Sequence, residues 1–221
     1  MLPALAHVDN WIFDLDNCLY PASCDLFELI DHRMTDYVER RFGIGREEAR
    51  ILQKRYFHEH GTTLSGLMAN GDVDPHEFLE FVHDVELDRI SADPELVALI
   101  ERLPGRKFVF TNGNESYARR VLDRIGLADL DGLHDIHAMA YVPKPHPRAY
   151  RLLCDRYAID PTRALFAEDM ARNLKPAKAL GMITVWVDNG SDQADHRDDP
   201  DFVDYHTHDI GAWLAEATGD Q

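Results

Sequence analysis

The sequence predicts an α/β protein: a Rossmann-like parallel sheet core wrapped by helices, with an inserted all-helical cap after the first strand. Two observations carry this. Short apolar runs alternate with helical patterns from about residue 91 to residue 187, the order that builds a parallel sheet. Between the first apolar run, "WIF", and that alternating region, every periodic segment reads as helix.

The elements follow in order. "WIFDL" is a buried strand. In "DLFELIDHRMTDYVERRF" (25–42), Leu26, Phe27, Leu29, Ile30, Met34, Tyr37, Val38 and Phe42 form a helical stripe that Gly43 stops. "REEARILQKRYFHEH" is a second helix ending at Gly61. "GTTLSGLMANGDVD" reads as a loop, and "PHEFLEFVHDV" as a third helix with Pro75 in its first turn. Beyond Ile90 come helix "DPELVALIERL", strand "KFVFT" (107–111) and helix "ESYARRVLDRIG". A weak strand, "IHAMA", and the helix "HPRAYRLLCDRYA" come next. Strand "ALFAE" (164–168), helix "ARNLKPAKALG" and strand "MITVWV" (182–187) complete the pattern, and "GSDQADHRDDPD" reads as a solvated acidic loop. The expected division is a core of 1–19 and 91–221 and a cap of 20–90.

Composition narrows the function. A formal net charge of −17 argues against nucleic-acid polymers and anionic membrane surfaces, which reward basic patches. It leaves room for a small anionic substrate, since screening confines charge effects to about 8 Å. No apolar run is long enough for a membrane span, and "MLPALAHVDN" lacks signal-peptide features. The three cysteines, Cys18, Cys24 and Cys154, show no metal-ligand spacing, so a reduced, cytoplasmic protein is expected. The histidines are scattered, and "HDIHAM" and "HTHD" read as solvated turns. Oligomeric state stays open between monomer and homodimer.

Ligands of open α/β sheets bind at the carboxyl ends of the strands. Three strands here end in polar residues: Asp14 and Asp16 after the first, Thr111-Asn112-Gly113 after the second, Glu168-Asp169 after the third. Lys144, in "VPKPHP", precedes the helix leading into the third. In a strand, residues two apart face one side, so Asp14 and Asp16 address a single spot. Four carboxylates and one ammonium do not balance, but they would around Mg²⁺ and a phosphate. Asp14 can then be ionised while Asp16 holds a proton, two carboxylates given two roles by their surroundings.

"FDLDNCLY", "VFTNG", "PKP" and "FAEDMARNLKPAKALGM" resemble the four motifs of the haloacid dehalogenase-like hydrolase superfamily. "HGTTLSGLM", "FLEFVHDV" and "TNGNESYARRVLDRIGLADLDGLHDI" resemble its pyrimidine 5'-nucleotidase branch. The resemblance implies a phosphomonoesterase, dephosphorylating a small phosphorylated substrate such as UMP or CMP. It implies Asp14 as nucleophile and Asp16 as general acid–base. Mg²⁺ would be held by Asp14, the Asp16 carbonyl and Asp169, with Glu168 either a further ligand or one shell out and Asn173 supporting that loop. Thr111, Asn112 and Lys144 would bind phosphate. Thr62 and Thr63 of the cap are candidates for reading the base.

Two positions depart from the family pattern: Cys18 stands where threonine is usual, and Glu168-Asp169 where close relatives often carry two aspartates. Cys18 also reads simply as a small buried residue. Three rival readings remain. A phosphatase of sugar phosphates or other small phosphomonoesters fits the same core. A metal-free dehalogenase needs no Asp16. A receiver-like phospho-acceptor domain places its acidic pair before the acceptor, the reverse of the order here.

Overall fold

A computed structural model describes residues 1–71, 73–188, 190 and 201–219. The acidic stretch expected as a solvated loop lies, apart from Gly190 and Asp201, outside the described residues. Six parallel strands form the sheet: β1 (Asn10–Phe13), β2 (Arg106–Phe110), β3 (Gly132–His134), β4 (Ala164–Glu168), β5 (Ile183–Val187) and β6 (Tyr205–Thr207). Their order is β3-β2-β1-β4-β5-β6. Every residue of β1 and β4 is buried, as the unbroken apolar runs "WIF" and "ALFA" require of strands covered on both faces.

β1 is central. Phe13 pairs with Val109 on one side and Ala167 on the other, so the chain leaves β1, β2 and β4 at the same sheet edge. From β1 the chain builds outward through β2 and β3, then returns to the other flank at β4. That reversal makes the β1–β4 boundary the crevice where such sheets bind ligands. At the opposite edge, Gly105 has a φ of +82°, and a Cβ there would run into the Asp9 carbonyl; only glycine lets β2 enter this close to β1.

The helices inserted after β1 are α1 (Leu26–Phe42), α2 (Arg46–His60), α3 (Thr63–Asn70) and α4 (Pro75–His83). α1 packs on α2 and α4, and α2 on α3. The remaining helices are α5 (Pro94–Arg102), α6 (Glu115–Ile125), α7 (Pro147–Tyr157), α8 (Ala171–Leu180) and α9 (Ile210–Thr218). Most begin on a side-chain cap: Asp93, Asn114 and Asp209 accept from Leu96, Tyr117 and Ala212 amides at 2.9, 3.1 and 2.8 Å.

Two assignments need correcting. "GTTLSGLMANGDVD" is not a loop throughout: Thr63–Asn70 is helical. Its threonines disguise it, yet Thr62 accepts from the Ser65 amide at 3.0 Å and so starts the helix, while Leu64 and Leu67 are buried. "IHAMA" is not a strand; the third strand lies earlier, at Gly132–His134, and 136–140 turns on backbone bonds such as Met139 N–H to the Asp135 carbonyl at 3.0 Å. Sequence reading also passed over β6 and α9. β6 has only three residues, and α9 follows the acidic stretch, but its Trp213 and Leu214 are buried and it packs on α5.

Candidate active site

The chain leaves β1 through a tight turn. The Asp14 amide still bonds the Ala167 carbonyl at 2.9 Å, and Leu19 N–H then reaches back to the Leu15 carbonyl at 3.1 Å. Asn17 takes the left-handed conformation, φ 57°, which asparagine tolerates better than most residues. That turn presents Asp14 and Asp16 at the sheet edge. The Cys18 thiol, inside the turn, donates to the Ala167 carbonyl at 3.6 Å. Burial, reinforced by Asp14, Glu168 and Asp169, raises its pKa well above the ordinary thiol value, so it stays protonated.

Lys144 is the centre of the cluster. Its ammonium donates to Asp14 Oδ1 at 2.6 Å, to Glu168 Oε2 at 2.6 Å and to the Phe110 carbonyl at 2.8 Å. Lys144 and Glu168 are each 1% exposed. Burial alone would pull the lysine pKa down; Asp14 and Glu168 more than offset it, and the net shift is upward. Asn112 holds the lysine's backbone from both sides, accepting from the Lys144 amide at 2.9 Å and donating to its carbonyl at 3.2 Å. Asn112 therefore serves the site through Lys144. Thr111 is fully buried, and its hydroxyl oxygen accepts from the Gly113 amide at 2.9 Å.

Asp14, Glu168 and Asp169 each bring a carboxylate oxygen within 4.8 Å of the others. Burial first and the Glu168 charge second raise the pKa of both Asp14 and Asp169 above the usual carboxylate range. Three buried acids against one ammonium leave negative charge in excess. A hard dication with oxygen ligands would correct that imbalance, and all three donors are oxygens. A further buried oxygen, Asn173 Oδ1, has no hydrogen-bond partner among the described residues. The donor set thus fits Mg²⁺. Trp186 holds the acidic loop from behind, its indole N–H donating to the Asp169 carbonyl at 2.9 Å.

Asp16 has a different environment. Tyr20 and Tyr117 both donate to its Oδ1, at 2.6 and 2.7 Å. Burial raises its pKa, and the two phenols oppose that rise by favouring the ionised form. Tyr117 in turn stacks on His83, with ring centroids 4.4 Å apart and planes 9° from parallel. His83 ends α4, so the inserted helices reach the site through this ring.

Sequence reasoning missed both tyrosines and His83. Tyr20 follows Asp16 by four positions, a spacing that could have flagged it. Tyr117 and His83 lie in "ESYARRVLDRIG" and "PHEFLEFVHDV", segments whose sequence marks them as helices without singling out either ring. The two cap candidates lie within the inserted helices. The Thr62 hydroxyl caps α3 and donates to Ser65 Oγ at 2.8 Å. Thr63 is buried, and Gln53 Nε2 reaches its hydroxyl at 3.5 Å while donating to Asp31 Oδ1 at 2.8 Å.

Comparison with known proteins bears on the fold and the family. The chain is 26% identical over 189 residues to phosphate metabolism protein 8 of Saccharomyces cerevisiae, covering 78% of this chain and 59% of that protein. It is 31% identical over 97 residues to N-acetylmuramic acid 6-phosphate phosphatase of Pseudomonas aeruginosa, covering 44% of this chain and 43% of that one. The chain therefore spans less than two thirds of either relative. A phosphatase structure from Thermococcus onnurineus superposes with a TM-score of 0.65 at 18% identity, over 97% of this chain and 99% of that one. L-2-haloacid dehalogenase from Xanthobacter autotrophicus does so with 0.58 at 17% identity, over 96% and 99%. Those two identities speak to the fold alone. The family model for haloacid dehalogenase-like hydrolases matches residues 8–181, from the strand before Asp14 to the helix after Asp169, and the chain belongs to that family.

Proposed function

We propose that the protein is a Mg²⁺-dependent phosphomonoester hydrolase working through an aspartyl-phosphate on Asp14, with residues 20–90 as the cap over its site. The observation that carries this reading is Asp16, fixed by two phenols beside the Lys144-centred acids. A dehalogenase has no leaving-group oxygen to protonate and no use for such a group.

A carboxylate oxygen of Asp14 attacks phosphorus, and the bond to the ester oxygen breaks. Asp16 gives its proton to that leaving oxygen. Both phenols occupy Oδ1, so Oδ2 is the oxygen that exchanges the proton. Asp16 then takes a proton from water as the water oxygen attacks phosphorus, releasing phosphate and regenerating Asp14. Lys144 and Thr111 hold the phosphoryl oxygens as charge develops on them. Asp14, the Asp16 carbonyl and Asp169, with Glu168 alongside, would hold Mg²⁺, which would supply positive charge to the phosphoryl group when bound.

For the substrate, the reading is a nucleoside monophosphate such as UMP or CMP. The support is the cap wording that resembles pyrimidine 5'-nucleotidases, with Thr62 and Thr63 as base-reading candidates. A sugar phosphate is the second reading, favoured by the similarity to a relative named as an N-acetylmuramic acid 6-phosphate phosphatase. Phosphate release from a panel of nucleoside monophosphates and sugar phosphates, with Mg²⁺ or with chelator, tests both levels. Turnover that needs Mg²⁺ and vanishes in Asp14→Asn supports the mechanism, and the panel ranks the substrates. Halide release from a 2-haloacid in chelator, without phosphate release from any ester, would overturn the reading.

A further inference from the structure

A second group of ligand-type side chains lies farther along the same sheet edge. Asp188 follows the last residue of β5. On β6, Trp186 of β5 pairs with His206 and Val187 with Thr207, and His208 comes directly after the strand. Alternation along a strand sends His206 and His208 to one side. A carboxylate oxygen of Asp188 and one ring nitrogen from each histidine all lie within 4.8 Å of one another.

Three details bear on whether this cluster is more than an ion pair. His206 Nε2 and Asp188 Oδ2 are 3.4 Å apart. Two donors about 2.0–2.1 Å from a tetrahedral zinc ion stand roughly 3.4 Å from each other, so that pair already has the required spacing. His208 Nδ1 lies 2.6 Å from the Asp188 backbone carbonyl. A carbonyl only accepts, so Nδ1 carries the proton and Nε2 keeps its lone pair. Metal-binding imidazoles are commonly oriented in this way, through the nitrogen that does not bind. The Trp186 ring stacks on His206 at 4.7 Å with planes 13° apart and fixes its plane. An exposed Asp188–His206 ion pair would explain one contact but not the third donor.

We propose that Asp188, His206 and His208 form a second metal site, separate from the acidic cluster, for an imidazole-preferring transition dication such as Zn²⁺. Two nitrogens and one carboxylate suit Zn²⁺, Ni²⁺ or Co²⁺, whereas Mg²⁺ prefers oxygen throughout. His206 and His208 are exposed and Asp188 half-buried, so the cluster is open to an ion from solvent. Trp186 touches both centres, its face on His206 and its N–H on the Asp169 carbonyl.

The test is calorimetric titration of the full chain with Zn²⁺ under saturating Mg²⁺, which keeps the acidic cluster filled. The wild type should take up one equivalent that His206→Ala and His208→Gln each bind at least about tenfold more weakly. Mg²⁺-dependent phosphate release by both variants should match the wild type before zinc is added. Circular dichroism separates a lost ligand from a lost fold. His208→Gln, at an exposed position, keeps the test decisive if His206→Ala does not fold. Zinc uptake unchanged in both variants would place the ion elsewhere, for instance at the stacked His76 and His137 pair, and overturn the proposal. So would a wild type that binds no zinc.

Discussion

Lys144 Nζ lies 2.6 Å from Asp14 Oδ1 across 130 positions of chain, and the same ammonium lies 2.6 Å from Glu168. One cation thus holds two buried acids from neighbouring strands. Removing it leaves those acids without a counter-charge, and breaking a buried pair from one side typically costs about 3–5 kcal/mol. Lys144→Met should therefore lose stability on that scale in chelator. Mg²⁺ should restore part of the loss, because a ligand that binds only the folded state stabilises it. Urea unfolding with and without Mg²⁺ measures both. A variant as stable as wild type in chelator would show that the three-way contact carries no net stability.

Tyr20 and Tyr117 should act as positioning residues for Asp16. Replacing both by phenylalanine removes two donors that favour the ionised carboxylate, so the Asp16 pKa rises further. The acid form then persists to higher pH, and the basic limb of the kcat–pH profile should move upward. At neutral pH kcat should fall about tenfold, less than the roughly 10²–10⁴-fold expected of Asp16→Asn. A double variant with an unmoved pH profile and full kcat would leave the phenols a packing role only.

Cys18→Thr should be neutral or mildly stabilising, by about 0.5–1.5 kcal/mol, because a hydroxyl can replace the long thiol contact to the Ala167 carbonyl with a stronger bond. In the native wild type Cys18 should resist alkylation, being buried and protonated. Mass spectrometry of carbamidomethylated native protein checks the second point. Rapid labelling at Cys18, or a severe activity loss in Cys18→Thr, would mean the thiol has a part of its own.

His83 ties stability to pH. Burial lowers its pKa from 6.5 to about 4 in the fold, so between those values the unfolded chain binds a proton that the folded chain does not. Its stabilising share is complete above pH 6.5 and is lost as pH falls toward 4, up to about 3 kcal/mol in all. Buried His134, shifted the same way, adds to the trend. Asp14 and Asp169, with raised values, act in the opposite direction, so the His83 share is read by difference. His83→Phe keeps a ring against Tyr117 and should flatten the acid-side decline in urea midpoints relative to wild type. Parallel declines in the two proteins would remove His83 from the account.

The cap threonines should separate. The Thr62 hydroxyl is already engaged by the Ser65 amide and Ser65 Oγ, which narrows the two base-reading candidates to Thr63: Thr62→Val removes a helix cap and should cost about 1 kcal/mol of stability while affecting all substrates alike. Thr63→Val should lower kcat/KM for UMP or CMP by about tenfold and spare p-nitrophenyl phosphate, which offers no base. Equal losses on both substrates in Thr63→Val would leave the Gln53–Thr63 contact purely structural.

What the sequence determined by itself is the part that local rules govern. Apolar runs that end in Asp14, Thr111 and Glu168 mark strands entering a ligand edge, because burial of charge is expensive and a strand end is where it can be relieved. Helix ends at Gly43, Gly61, Gly126 and Gly181 were legible for a similar reason: all four adopt positive φ, where glycine alone is unstrained. Only tertiary structure could decide the rest. That Asp16 rests on Tyr117, that His83 touches the site, and that Asn112 holds Lys144 all depend on contacts between residues far apart in the chain. Periodicity assigns Tyr117 and His83 to buried faces without saying what lies opposite them. The Asp188, His206 and His208 cluster is the extreme case. "HTHD" taken alone reads as a solvated turn, but its His206 and Thr207 lie in β6, and the pair of histidines gains a third donor only because β5 and β6 pair in parallel and in register.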